Sequence, residues 1–300
     1  MRISRKELSS IVASTPIIRT QRPARANVNR LTDQLRSRLR RDMEQHMQPW
    51  MVLLDEAVRF FVYLERYQYT RKLARETSPF AFQLSRLRSD VLSIRELISI
   101  GQEAPAYAIA RSFVDGVELA MAIAEDPSFA IAYSEAEDNL AFWKKRIGFG
   151  QIYSTVERFL LRTGGSATEA SQHIARHKAV KNALSGHVHI APYSALRSGL
   201  IPSISHPGMF HIGELGCLST HMPQLCMLIA EETHTFAACC INAFIKPNPP
   251  LVFSEYRPTK KLHDTVASAH VLQELLARHG HQLELLSNSF FNPGDNKNTT

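Results

Sequence analysis

The sequence predicts an all-α protein, a multi-helix bundle of about nine helices with no significant sheet. Three observations lead there. Helix-forming residues dominate and glycine is sparse, at 13 in 300 residues. Apolar residues recur at three- and four-residue spacing, the period of a helix with one buried face. No segment longer than a few residues alternates cleanly apolar and polar, as a half-buried strand would. At 44% apolar content, a chain of this length can bury a substantial core.

Residues 1–27 contain Pro16 and Pro23 and no apolar period, so they read as a basic, flexible arm. From Leu31 a four-residue spacing (Leu31, Leu35, Leu39, Met43, Met47) marks a helix to about Gln48, where Pro49 stops or kinks it. A second helix, rich in aromatics, runs from Trp50 to about Glu76. A third covers roughly residues 80–101 on Leu84, Leu87, Val91, Ile94 and Ile98, and ends at Gly101. The fourth runs from about Pro105 to Ala124.

Asp126 before Pro127 supplies an N-cap and a first-turn proline for a fifth helix, expected to reach Arg146. Ile152, Val156, Phe159 and Leu160 mark a sixth, closed by Gly164 and Gly165. Ser166 and Glu169 fit a capping box that opens the seventh helix, to about Leu184. Residues 185–212 read as a long loop carrying four histidines. Helices over about 213–246 and 258–279 complete a single helical-bundle domain, 28–286. Residues 287–300 read as a polar, flexible tail.

Charge is concentrated at the start of the chain. Residues 1–41 hold eleven Arg or Lys against Glu7 and Asp33, while the chain as a whole carries +7. Such a segment can attract nucleic acid by neutralising phosphates, so nucleic acid is an expected partner of residues 1–41. The four cysteines (Cys217, Cys226, Cys239, Cys240) fall in one expected helix without a Cys-x-x-Cys pair. They read as small core residues of a reducing compartment. The apolar stretch 222–245 is interrupted by Gln224, Glu231, Glu232, His234 and Asn242, which argues against a membrane span. A cytoplasmic protein with no membrane partner is expected.

The fourth helix carries the most informative pattern. It is apolar or small nearly all round, and its only charges between Pro105 and Ala124 are Arg111, Asp115 and Glu118. At i, i+4 and i+7 these share one stripe. Buried charges require partners, and Arg111 cannot neutralise two acids. On the seventh helix, His173 and His177 project from the apolar face, while Gln172, Arg176, Lys178 and Asn182 define the opposite face. A buried polar cluster of Arg111, Asp115, Glu118, His173, His177 and His189 is the expectation. It can serve as a structural network, or as an acid–base site. His173 and His177 have metal-ligand spacing, but their helix lacks the glutamate of the zinc-protease motif, and no metal or other cofactor is expected.

Two resemblances rest on these residues. Arg111 followed by Asp115, then Asp126-Pro127, then Leu184-Ser185 with His189, resembles a large bacterial domain-of-unknown-function family of helical proteins. That family shows Arg-x-x-x-Glu, Asp-Pro and Leu-Ser-x-x-x-His over about residues 80–200 here, with Asp115 in place of its usual Glu. The resemblance implies a helical fold and makes Arg111, Asp115 and His189 the candidate catalytic residues, with no established reaction. Arg41-Asp-Met-Glu-Gln-His46 is similar to the Arg-x(4–6)-His motif of HEPN ribonucleases. That resemblance implies a metal-independent endoribonuclease or toxin-type effector, set in phage defence or a toxin–antitoxin pair, with Arg41 and His46 as its residues. The leading expectation remains a non-enzymatic binding protein that meets a protein partner or itself; the ribonuclease is the alternative.

Overall fold

The chain stays helical through Pro49. The computed structural model describes residues 28–70, 72–188, 199–206, 208–212, 217–254 and 258–289. In it α1 (Val28–Asp42) passes through a π-turn (Met43–Met47) directly into α2 (Gln48–Gln68). Proline has no N–H to donate, and its ring crowds the carbonyl four residues back; widening the turn relieves both. Internal contacts divide the chain into residues 1–34, described from Val28 onward, and residues 35–300, which hold the bundle.

The bundle continues with α3 (Ser78–Ser99), α4 (Glu103–Glu125), α5 (Pro127–Ser134), α6 (Asn139–Arg146), α7 (Tyr153–Arg162) and α8 (Ala167–Val188). A two-stranded hairpin, β1 (Leu200–Pro202) and β2 (Phe210–Ile212), precedes α9 (Met222–Ile245) and α10 (Lys260–Ser289). The protein is an all-α bundle, as its periodicity requires.

Helix α4 is the hub, because it is apolar on most sides. It packs along α3, α5, α7, α8 and α9, while α2 packs on α3, α9 and α10. Gly116 lets α3 come close: a Cβ there would lie 2.9 Å from Leu87 Cδ2. Gln83 Nε2 uses the approach to donate to the Gly116 carbonyl at 3.0 Å. Phe61 of α2 joins the layers, edge-on to Phe113 of α4 at 5.8 Å and stacked on Phe236 of α9 at 6.0 Å. All three rings are fully buried, an arrangement that adds aromatic contact energy to burial.

Several boundaries differ from the sequence reading. Helix α2 stops at Gln68, where the Thr70 hydroxyl donates to the Tyr67 carbonyl at 2.6 Å and the Thr70 amide tightens onto the same oxygen. The expected fifth helix is two, α5 and α6. Asp138 accepts from the amides of Leu140 and Ala141, both at 2.9 Å, and so starts a new helix inside a run that reads as helix-forming. Helix α8 runs on to Val188, and α10 to Ser289.

Helix α9 begins only at Met222, with Pro223 in its first turn, so buried Cys217 lies outside the helix expected to hold all four cysteines. The region read as loop contains the hairpin, which pairs Ile201 with His211 and is anchored by buried Ile201 and Ile204. The arm 1–27 and residues 290–300 of the expected tail lie outside the described residues.

Candidate functional site

The capping box forms as read from sequence. Glu169 accepts from the Ser166 amide at 2.7 Å, and Ser166 Oγ accepts from the Glu169 amide at 3.2 Å. With α8 so begun, His173, His177 and Lys181 follow at four-residue steps along one stripe. Glu118 of α4 and Glu232 of α9 meet that stripe. The His177 ring donates through Nδ1 to Glu118 Oε1 at 3.1 Å and through Nε2 to Glu232 Oε2 at 2.5 Å. Lys181 Nζ donates to Glu118 Oε2 at 2.6 Å and reaches Asp115 Oδ1 at 3.3 Å. Arg176 pairs with Glu231 at 2.5 Å and Glu232 at 3.3 Å.

The centre is sealed: the side chains of His177, Glu118 and Glu232 are 0%, 2% and 1% exposed. Two ionised carboxylates can only accept, so an imidazole bonded to both must carry a proton on each nitrogen. The electrostatics agree. Burial alone would depress His177, but its hydrogen bonds to Glu118 and Glu232 outweigh burial and raise it to about 9. Burial likewise works to raise Glu118 and Glu232, and the cationic partners hold both below the usual carboxylate range. Its neighbour His173, whose ring is tilted against it with centroids 4.0 Å apart, has no such partners. Burial, then the charge on His177, drives His173 down to about 4. One histidine is thus a buried cation and the next a half-buried neutral ring.

The expected cluster is therefore partly assembled. Glu118, His173 and His177 come together. Asp115 does not belong to the buried set; its side chain is 47% exposed, and Arg111, at 23%, pairs with it at the rim. The physical reason is the width of the stripe: Asp115 lies on the edge of α4 that faces solvent, so only Glu118 needs an internal cation. His177 and Lys181 supply it together. Arg111 also donates to Ser185 at 3.4 Å. Arg176, assigned from sequence to the outer face, turns to α9 instead. His189 lies outside the described residues, while its neighbour His187 stacks on Tyr107 at 4.3 Å.

Lys181, Glu231 and Glu232 were missed as partners. The signal for Lys181 was its place four residues after His177; the acids were visible as interruptions of an apolar helix. Arg41 is exposed near the end of α1 and His46 half-buried inside the π-turn, and no hydrogen bond or ion pair joins them. Among the described residues, no three or more His, Cys, Asp or Glu side chains are grouped to hold a metal ion. No described helix is long and apolar enough to cross a membrane.

Chemically, the arrangement is a clamp. A general base needs an accessible lone pair, and His177 has neither access nor a free pair. Its ion pairs join α4, α8 and α9, three helices far apart in sequence. Comparison with protein-family models, curated proteins and solved structures finds no match to this chain.

Proposed function

We propose that this protein works by binding rather than by catalysis, as a helical-bundle interaction protein whose titratable cluster holds the scaffold in register. The observation that carries the reading is the sealed Glu118–His177–Glu232 centre, with His177 at 0% exposure and both its nitrogens engaged. Buried, mutually satisfied charges fix how helices meet. The surface, by contrast, presents side chains suited to a partner: Leu140, Trp143 and Phe149 stand exposed on one short segment.

The test pairs His177→Gln with wild type. Glutamine leaves two acids facing a neutral group, so the variant should melt much earlier. Wild-type protein should leave a labelled mixed-sequence RNA intact. RNA cleavage by wild type, lost in a His177→Gln protein that melts normally, would overturn the reading and restore an acid–base role.

A further inference from the structure

The segment from Asp138 to Tyr153 is built unlike the rest of the bundle. Helix α6 has no buried residue. Its Phe142 faces inward, edge-on to Phe129 at 5.6 Å. The opposite side carries Leu140 at 61% exposure and Trp143 at 44%, followed by Phe149 at 83%. These positions are set by backbone. Gly148 is buried beneath the Trp143 ring, where an added Cβ would lie 2.6 Å from ring carbon Cζ3. Phe149 adopts the left-handed conformation, φ 54°, a placement that costs a non-glycine residue energy. The result is a phenyl ring held edge-on to Trp143 at 5.6 Å, with most of its surface in solvent.

Three cations lie between these two rings in the chain. Lys144, Lys145 and Arg146 are consecutive and exposed, and among the described residues none of their side chains makes an ion pair or hydrogen bond. They complement the C-terminal end of the α6 dipole, which accounts for some of their placement but not for the adjoining rings. Beyond Gly150, Tyr153 extends the strip, with Lys178 Nζ 4.8 Å above its ring.

We propose that Trp143, Phe149 and the Lys144–Lys145–Arg146 run form a binding site for single-stranded nucleic acid. An unpaired base stacks on Phe149, and neighbouring phosphates meet the cations. The inference rests on the binding reading above and gives it a ligand class. Two exposed rings in contact, beside a run of exposed cations, match a strand that offers both flat bases and anionic phosphates. A duplex offers no unpaired face to stack. A membrane surface fits less well. Lys144 stands about 40° around the helix from Leu140, on the same side as the rings, so insertion would carry its charge inward rather than leave it at the rim.

The full chain is titrated with a short fluorescein-labelled oligo(dT) at low salt, following oligonucleotide anisotropy and tryptophan emission. Trp143 is exposed and Trp50 buried, so stacking should quench the Trp143 signal. Phe149→Ala should weaken binding about tenfold, as expected for one lost base stack. Lys144→Glu with Lys145→Glu should weaken it further and flatten the salt dependence by about 0.7 per lost phosphate contact. Melting curves check each variant, and Phe149→Gly replaces Phe149→Ala should the latter fail to fold.

Binding that survives both changes would place the contact on the basic residues 1–41 and overturn the site. So would loss through the charge changes alone with Phe149→Ala binding normally, or no binding at low salt. Vesicles of phosphatidylserine and phosphatidylcholine are run in parallel. A blue-shifted Trp143 emission with them, and no response to oligo(dT), would make the strip a membrane face instead. None of these failures touches the non-catalytic reading, which His177→Gln and the RNA-cleavage assay decide separately.

Discussion

His173 and His177, one turn apart on α8 with ring centroids 4.0 Å apart, are pushed in opposite directions by their surroundings, to about 4 and about 9. Both start from 6.5 when unfolded. His177 therefore contributes stability that is whole below 6.5 and is lost as pH rises through about 9. His173 contributes stability present above 6.5 and lost as pH falls toward about 4. Glu118 and Glu232, both held low, add to the loss on the acid side only. The melting temperature should peak near the unfolded histidine value, with each flank worth on the order of 3 kcal/mol. A profile flat from acid to alkaline would refute the pairing of charges.

Removing one member of the buried set should cost far more than removing a rim residue. Glu118→Gln leaves His177 and Lys181 without their shared acid, a loss of about 3–5 kcal/mol. Arg111→Ala breaks a half-exposed pair and should cost about 0–1 kcal/mol. Denaturant titrations of the two variants check the order; equal losses would show that Arg111 is integral to the centre.

Close packing of α3 on α4 makes Gly116 intolerant of a side chain. Gly116→Ala should destabilise by about 1–3 kcal/mol through overpacking. Gly280, in the interior of α10, would place a Cβ no closer than 4.0 Å to Leu276. Gly280→Ala should therefore stabilise by about 0.5–1 kcal/mol from helix propensity alone. Thermal melts of both variants distinguish a packing limit from a general dislike of alanine.

At Phe149 stability and binding should move in opposite directions. Phe149→Gly relieves the left-handed backbone and should raise stability by about 1 kcal/mol. The same change removes the exposed ring and should weaken oligo(dT) binding. A variant that loses both would mean that the ring is packed in solution rather than displayed.

Helices with long apolar periods were legible in the sequence, as were the Asp126 cap and the Ser166–Glu169 box, because each depends on neighbours in the chain. The break at Asp138 was not, since Glu135, Ala136 and Glu137 all favour helix and only the aspartate cap interrupts them. The pairing of Glu118 with α8 followed from a charge on an otherwise apolar helix. The pairing of Arg111 with Asp115 is local and legible; the second cation on Glu118, Lys181, is not, because the face of Lys181 is decided by how α8 packs on α4. Glu232 stood out in its apolar helix, yet nothing in one dimension says that α9 lies against His177.

The account turns most directly on the ionisation of His177, which imidazole NMR of isotope-labelled protein can read across pH. The expected result is an imidazolium with both ring protons retained at neutral pH, titrating only near 9, beside a His173 that stays neutral until about 4. A His177 that titrates near 6.5, with a solvent-exchanging ring proton, would mean an accessible imidazole and contradict the sealed clamp.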